Sequence, residues 1–277
     1  MTNTLEWTGR VGDIWAEEWR RTDRSFANLS RHLDTAILAA APTSGIAIDI
    51  GSGAGGTSIA LATARPHLSI TGVDLSPALV ATASERGADL ANLQFRVADA
   101  QSLGALEADL LFSRHGVMFF ADPVAGFTAL RAAAKPGARL VFSCFRPRAF
   151  NEWTLATEAA IHASAAPPSG YAPGPYGLAD EDFTRDLLGK TGWAHPNAEI
   201  VDFDYVAGAG EDPVADALSY FLRIGPAARA IAAAEPGVRA EMHAALRATL
   251  AAHLRSGLVT FGASAWIWTA TAGKAAA

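Results

Sequence analysis

The residues best suited to chemistry are concentrated in one short stretch, residues 46–57. An apolar run over residues 46–50 predicts a buried strand, and a helix-like pattern occupies residues 58–64. Between them lie four glycines within six residues, Gly51, Gly53, Gly55 and Gly56. Glycine lets the backbone turn sharply and lets a ligand pack directly on peptide groups. A strand, a glycine turn and a helix in this order predict a ligand at the N-terminus of the helix.

Two classes of cofactor fit this turn, and Asp49 distinguishes between them. The spacing Gly51-x-Gly53-x-x-Gly56 satisfies the dinucleotide fingerprint. However, a carboxylate two residues before the first glycine would repel a pyrophosphate, whereas it would attract an ammonium group. The pattern Asp49-x-Gly51-x-Gly53-x-Gly55 resembles the acidic-Gly-x-Gly-x-Gly signature of class I S-adenosylmethionine-dependent methyltransferases. In that family the turn receives the methionine part of the cofactor, which has a free ammonium and no phosphate.

Two further aspartates follow predicted strands in the order found in this family. Asp74 ends a predicted strand over residues 68–74, and an acid at this place can accept both ribose hydroxyls. Asp99 ends the next predicted strand, residues 93–99, where the resemblance implies a contact with the adenine amino group. The resemblance covers residues 44–146 and implies S-adenosylmethionine as the cofactor, with S-adenosylhomocysteine as its product. The implied cofactor contacts are Asp49, Gly51, Ser52, Gly53, Gly55, Thr57, Asp74, Leu75, Asp99, Ala100, Gln101, Ser113 and Trp19.

A fourth predicted strand, residues 108–114, should end beside the transferable methyl group, because ligands of open α/β sheets bind outside the carboxyl ends of the strands. His115 follows this strand and is the best candidate for a general base, since an unperturbed pKa of about 6.5 suits that role. Alternatively, His115 lines the pocket or bonds to a backbone carbonyl. Arg114 either binds an acidic group on the acceptor or pairs with a core carboxylate. The predicted substrate contacts are Trp15, Arg114, Met118, Phe119 and Tyr176.

The elements that must position these residues belong to an α/β fold. Strands and helices alternate over residues 44–146, and the resemblance implies a doubly wound, Rossmann-like, seven-stranded sheet with its last strand antiparallel. One or two N-terminal helices over residues 11–40, the first capped by Asp13, should fold over the cofactor and bring Trp15 and Trp19 towards it. We then expect a fifth strand over 139–145, a helix over 180–190, a strand over 199–205, helices over 214–224 and 226–255, and a last strand over 261–270.

The predicted domain organisation is a single methyltransferase domain over residues 1–277. Residues 11–40 form its N-terminal lid, and residues 44–146 form the cofactor-binding core. Insertions over residues 147–180 and 207–256 form a cap that shapes the acceptor pocket.

Composition narrows the choice of partners. A net charge of -6 and a pI of about 5.6 argue against a nucleic-acid groove. No run of about 18 apolar residues is present, which predicts no membrane span. The single cysteine, Cys144, fits a reducing compartment, and the N-terminus lacks the basic and apolar regions of a signal peptide. The histidines show no metal-ligand spacing. We therefore expect a cytoplasmic monomer or homodimer that acts on a small-molecule acceptor of aromatic or apolar character.

Several alternatives remain open from the sequence. A nicotinamide-dependent oxidoreductase is opposed by Asp49 and by the lack of a Tyr-x-x-x-Lys pair for hydride chemistry. A non-catalytic protein that binds S-adenosylmethionine would share the same turn. Within the methyltransferases, no Asp/Asn-Pro-Pro-aromatic motif follows the fourth strand, which disfavours the enzymes that methylate amino groups of nucleic acids or protein glutamine. The chain instead resembles the bacterial branch of quinone-biosynthesis and secondary-metabolite enzymes, and the acceptor atom (oxygen, nitrogen or carbon) stays open.

Overall fold

The sheet is built from strands that are rich in Ile, Val and Leu, as expected for strands covered on both faces. The computed structural model describes residues 4–162 and 170–273. Within that part of the chain the strands are β1 Gly45–Ile50, β2 Leu68–Asp74, β3 Leu93–Val97, β4 Ala108–Arg114, β5 Ala134–Phe145, β6 Trp193–Gly208, β7 Leu254–Arg255 and β8 Leu258–Ala272.

The strand order is β3-β2-β1-β4-β5-β8-β6, with β7 paired to the start of β8. The first five strands are parallel, whereas β8 runs antiparallel to both β5 and β6. This arrangement confirms the predicted doubly wound sheet with an antiparallel last strand. The chain order reverses between β1 and β4, so the crevice outside their carboxyl ends is where this topology binds ligands.

Twelve helices are described, and several begin at a polar N-cap residue. Ser76 accepts a hydrogen bond from Leu79 N at 3.2 Å with Pro77 at the first helical position, and Asp122 caps the helix that begins at Pro123. The helices are α1 Thr4–Trp7, α2 Arg10–Glu17, α3 Trp19–Ser25, α4 Ala27–Ala40, α5 Gly56–Ala64, α6 Pro77–Arg86, α7 Pro123–Ala133, α8 Glu152–Ala160, α9 Glu181–Lys190, α10 Pro213–Phe221, α11 Pro226–Ala233 and α12 Pro236–Ala252.

The prediction of one or two helices over residues 11–40 was wrong in the number of helices. Residues 11–40 are divided among α2, α3 and α4, because the backbone leaves helical geometry at Glu18 and at Phe26. Asp13 does not cap the first of them. It lies inside α2, whose N-cap position is Gly9.

Two boundaries in the rest of the chain also differ from prediction. The helix predicted over residues 226–255 breaks before Pro236, since proline disfavours helical geometry in the residue that precedes it. β5 begins at Ala134 rather than Arg139, so Lys135 to Gly137 belong to an irregular start of the strand, with Gly137 at φ +83°. Part of the predicted insertion over residues 147–180 lies outside the described residues.

The core lies on both faces of the sheet. Helix α4 packs on one face through Leu29, Leu33 and Ile37, each no more than 1% exposed. Their spacing of four residues makes one apolar stripe along the helix. Phe142 and Trp268 pair across β5 and β8 with nearly parallel rings. These contacts fix the carboxyl edge of the sheet, where the functional residues lie.

Candidate active site

A deep cavity opens at the carboxyl ends of β1, β2 and β4, and the glycine turn forms its floor. Gly51, Gly53 and Gly55 have φ values of +63°, +54° and +81°, which favour glycine. A Cβ on Gly51 would lie 3.0 Å from the Cα of Gly116, so the β1 turn and the segment after β4 touch backbone to backbone. A Cβ on Gly53 would meet no atom within 4 Å, although Gly53 lines the cavity. The turn therefore leaves free space beside its peptide groups.

Asp49 is a buried carboxylate beside this turn that is only partly satisfied. It is 1% exposed, and its Oδ2 accepts a 2.6 Å hydrogen bond from the Ser58 hydroxyl. Its Oδ1 has no hydrogen-bond partner among the described residues. Burial raises the pKa of Asp49 to about 7, because desolvation penalises the charged form. An ammonium group at the turn would supply the missing partner and stabilise the carboxylate.

The other two predicted acids shape the backbone around the cavity. Asp74 Oδ2 accepts from Gly53 N and Asp74 Oδ1 accepts from Ser76 N, both at 2.9 Å. Asp99 Oδ1 accepts from Gln101 N at 2.9 Å and caps a short 3₁₀ turn. A carboxylate oxygen has capacity for a second hydrogen bond. Asp74 and Asp99 can therefore hold these turns and still accept from a ligand.

His115 lies at the same edge in an unusual backbone conformation, with φ +59°. Its Nδ1 is 2.8 Å from the Ser143 hydroxyl, and its Nε2 has no partner in the described part of the chain. Burial, together with the nearby Arg114 guanidinium, lowers the pKa of His115 to about 3. The imidazole is consequently neutral at physiological pH. If Nδ1 carries the hydrogen and donates it to Ser143, Nε2 is the acceptor; if Ser143 donates to Nδ1, Nε2 carries the hydrogen.

Arg114 pairs with a carboxylate, but that carboxylate comes from the N-terminal helices and not from the core. Its Nη2 donates to Asp23 Oδ1 at 2.7 Å, and its Nη1 donates to the Ser30 hydroxyl at 3.2 Å. Asp23 also accepts from Arg86 at 2.8 Å, and the Arg86 guanidinium lies 3.7 Å from the centre of the Trp19 ring. These contacts hold α3 against the cavity.

Most of the predicted site residues meet around this one cavity. Those that line it are Asp49, Gly51, Ser52, Gly53, Thr57, Asp74, Leu75, Asp99, Ala100, Gln101, Trp15, Trp19, Arg114, His115, Met118 and Phe119.

Three predicted residues do not line the cavity. Gly55 faces the Phe95 ring, which would lie 2.6 Å from its Cβ. Ser113 accepts from Gly116 N and donates to Ile50 O, so it ties β4 to β1. The Tyr176 hydroxyl is bonded to Thr154 Oγ1 at 2.5 Å. These three residues belong to the structure around the cavity and do not line it.

Sequence reasoning missed much of the apolar wall. The missed lining residues include Trp7, Phe26, Phe145, Trp153, Tyr205 and Phe221. Phe145 is the last residue of β5. The rule that ligands bind outside the carboxyl ends of the strands would have identified it if the rule had been applied to β5 as well as to β4. Trp153 lies on α8 and Phe221 lies on α10. Nothing in the local sequence indicates that these helices pack at the edge of the sheet.

The cavity has two chemically different halves. Asp49, Asp74 and Asp99 lie beside the ends of β1, β2 and β3. Aromatic side chains from β5, β6, α8 and α10 surround the other half, which lies beyond β4. Among residues 4–162 and 170–273, no group of His, Cys, Asp and Glu is arranged to hold a metal ion. One half therefore offers acceptors for a polar ligand, and the other offers an apolar surface.

The raised pKa of Asp49 predicts that ligand affinity depends on pH. The carboxylate attracts an ammonium group and the neutral acid does not, so binding needs the deprotonated form. Affinity for S-adenosylhomocysteine should rise with pH through about 7 and fall roughly tenfold for each pH unit below it. Calorimetric titrations at pH 5.5, 7 and 8.5 measure this, and Asp49→Asn should flatten the profile. A wild-type affinity independent of pH would contradict the assignment.

Gly12 allows helix α2 to pack against α6. A Cβ at Gly12 would lie 2.3 Å from both Ser76 Oγ and Trp7 O. Gly12→Ala should therefore displace α2 and weaken S-adenosylhomocysteine binding about fivefold, since overpacking typically costs about 1–3 kcal/mol. Gly237→Ala, in α12 with no atom within 4 Å, is the matched control and should leave affinity unchanged. Equal affinities for the two variants in calorimetry would show that the packing of α2 on α6 does not contribute to binding.

The part of the chain that contains the glycine turn resembles a known domain family. Residues 48–142 match the methyltransferase domain family. The chain is 33% identical over 128 residues to a malonyl-[acyl-carrier protein] O-methyltransferase of Paenibacillus sp. (strain JDR-2), which covers 44% of this chain and 46% of that protein. The chain therefore matches about half the length of this curated relative.

Solved structures share the fold at low sequence identity. Phosphoethanolamine N-methyltransferase 2 of Haemonchus contortus, solved with S-adenosyl-L-methionine, has a TM-score of 0.58 and 17% identity, covering 99% of this chain and 61% of that one. The YcgJ protein of Bacillus subtilis has a TM-score of 0.57 and 15% identity, covering 88% and 99%. Residues 48–142 therefore carry a methyltransferase domain, and the sheet topology around them is the fold that these solved structures share.

Proposed function

We propose that this chain transfers the methyl group of S-adenosylmethionine to a small-molecule acceptor by in-line displacement. The observation that carries the proposal is one cavity with two halves, an acidic half beside the glycine turn and an aromatic half beyond β4. Cofactor and acceptor would meet where the halves join, at His115 and Gly116. The malonyl-[acyl-carrier protein] O-methyltransferase relative and the Haemonchus neighbour act on different acceptors by their names, so neither fixes the acceptor.

The residues at the acidic half fit the cofactor. The unpartnered Oδ1 of Asp49 would accept from the ammonium group, and the open space beside Gly53 would receive the methionine part. Asp74 would accept from the ribose hydroxyls and Asp99 from the adenine amino group, with Leu75, Ala100 and Gln101 beside them. Ser52, Thr57 and Trp19 would complete the enclosure. Hydrogen bonds to a charged group contribute about 1.5–3 kcal/mol each, so the acids would dominate affinity.

The protein would contribute to the reaction chiefly by positioning the acceptor and by enclosing the site of methyl transfer. The bound cofactor supplies an activated methyl group on a sulfonium, and the protein holds the acceptor in line with it. Water exclusion would fall to helices α1 and α2, where Trp7 and Trp15 lie with their ring centres 6.0 Å apart and Trp7 packs edge-on against Phe119. Met118 also lines the cavity and is 3% exposed. An acceptor would therefore react within an apolar enclosure.

His115 would contact the acceptor as a neutral imidazole. Its pKa of about 3 makes it a weak base, which can accept a proton only as the acceptor loses it during reaction. The Ser143 contact would orient the ring. The base role stays a prediction, and it applies only to acceptors that must lose a proton.

Mass spectrometry of reaction mixtures tests this function. Purified protein is incubated with S-adenosylmethionine and pools of small apolar and aromatic acceptors, and S-adenosylhomocysteine formation is followed together with methylated products. We expect acceptor-dependent release of S-adenosylhomocysteine. Cofactor binding without turnover on any acceptor pool would favour a non-catalytic binding protein, the second function left open by the sequence.

A further inference from the structure

The side chains of the aromatic half of the cavity indicate which class of acceptor would bind there. We call its lining the aromatic chamber, which consists of Phe26, His115, Phe145, Trp153, Tyr205 and Phe221. The rings contact one another continuously, with centre-to-centre distances from 4.4 to 6.5 Å. Trp153 is nearly parallel to both Tyr205 and Phe221, at an interplanar angle of 13°. Such a surface favours a planar, apolar ligand.

The aromatic chamber itself contains no charged side chain. The charged side chains that line the cavity in the described residues are Asp49, Asp74 and Asp99 at the acidic half, and Asp23 of α3 with Arg114 of β4. Asp23 and Arg114 bind each other at 2.7 Å, and both Arg114 terminal nitrogens are engaged. A charged acceptor group would lose its hydration in the chamber without gaining a partner there, which is unfavourable.

Two buried polar atoms of the chamber have no partner. Trp153 is 5% exposed and His115 is 6% exposed, and neither Trp153 Nε1 nor His115 Nε2 has a hydrogen-bond partner among residues 4–162 and 170–273. Both rings flank Phe145, with ring centres 5.5 and 4.4 Å from it. Of the other buried tryptophans, Trp193 and Trp266 donate to the carbonyls of Phe127 and Ala179. Trp268 Nε1 also lacks a partner among the described residues, but Trp268 does not line the cavity. Burying an unpaired donor is unfavourable, so a ligand that pairs with it gains affinity.

We infer that the aromatic chamber selects an uncharged, hydroxylated aromatic acceptor, whose oxygen accepts the Trp153 Nε1 hydrogen and whose hydroxyl faces His115 Nε2. A hydroxyl group accepts one hydrogen bond and donates another, so it can satisfy both atoms. A carboxylate can only accept, and it brings a charge that the chamber does not balance. This inference rests on the proposed function, because it names the acceptor class of the same site.

Binding of three matched probes to the protein saturated with S-adenosylhomocysteine tests the inference. The probes are 1-naphthol, naphthalene without the hydroxyl, and 1-naphthoate with a negative charge, titrated by calorimetry at pH 7.5. We expect 1-naphthol to bind at least tenfold more tightly than either of the others. Equal or tighter binding of 1-naphthoate would overturn the inference, and so would binding of none of the three.

The Trp153→Phe variant distinguishes the contribution of the hydrogen bond to affinity from the contribution of ring packing. The variant keeps an aromatic ring and removes the donor, so 1-naphthol affinity should fall about five- to tenfold while naphthalene affinity stays unchanged. Trp266→Phe, at a tryptophan that already donates to Ala179 O at 2.9 Å and does not line the cavity, is the control and should change neither affinity. Equal losses for both probes in Trp153→Phe would show a packing role only.

The same titrations distinguish failure of this inference from failure of the proposed function. If S-adenosylhomocysteine does not bind, the proposed function is wrong, and the three probes are titrated into the protein alone with the same criteria. If S-adenosylhomocysteine binds and 1-naphthol shows no preference over naphthalene, the chamber inference is wrong and the proposed function stands. Thermal unfolding of each variant confirms that the comparison is made on folded protein.

Discussion

Asp74→Ala is expected to weaken S-adenosylhomocysteine binding at least tenfold, and about a hundredfold if both ribose hydroxyls bond to the carboxylate. Asp74 ends β2, and it already accepts from Gly53 N and Ser76 N. Its removal would therefore take two acceptors from the ribose and also release the backbone of the glycine turn. Calorimetry with the purified variant measures the loss directly.

Asp109→Ala is the control for this prediction. Asp109 is also a strand carboxylate that accepts from a backbone amide, Ile46 N at 2.8 Å, and it pairs with Lys135. It lies beside the start of β1, at the opposite edge of the sheet from the cavity. Its loss should lower thermal stability and leave affinity unchanged. Unchanged affinity in a folded Asp74→Ala variant would remove Asp74 from the binding site.

His115→Ala is expected to reduce turnover about a hundredfold while leaving S-adenosylhomocysteine affinity within about twofold. General-base catalysis contributes about 10²–10⁴-fold, and a pKa of about 3 places His115 at the weak end of that range. Because the imidazole is neutral above about pH 3, kcat should show no protonation step from His115 between pH 5 and 8. Initial rates at saturating cofactor measure both quantities.

His67→Ala, an exposed histidine between α5 and β2, controls for the loss of an imidazole and should change nothing. Equal losses of binding and turnover in His115→Ala, or no loss of either, would assign His115 to the cavity wall. A protonation step near 6.5 in kcat that disappears in the variant would show that the site is less desolvated than its burial indicates.

The cofactor half was predictable because its signals are local. The strands that carry Asp49 and Asp74 are short apolar runs bounded by glycine or proline, so residues 46–50 and 68–74 were located to within one residue. Each acid then falls at a carboxyl end, and parallel strands bring these ends to one edge. Ser76 and Pro77 likewise mark the start of α6 through capping alone.

The acceptor half was not predictable because its residues meet only through tertiary packing. Trp153 lies on an alanine-rich helix, and nothing near it indicates that α8 crosses the sheet edge. β6 was predicted over residues 199–205, yet pairing with β8 extends it to Trp193–Gly208 and places Tyr205 near the cavity. Trp7 belongs to the four-residue helix α1, which is too short for a periodic pattern. The carboxylate that pairs with Arg114 belongs to Asp23, which lies on a helix ninety-one positions earlier in the chain.

The most direct test of the central claim is calorimetric titration of the purified wild-type chain with S-adenosylhomocysteine and, separately, with NAD and NADP. We expect micromolar binding of S-adenosylhomocysteine and none of the two dinucleotides, because Asp49 favours an ammonium and repels a pyrophosphate. Binding of NAD or NADP alone would contradict the account of the glycine turn, and the roles given to Asp49, Asp74 and His115 would then have to be rebuilt for hydride transfer.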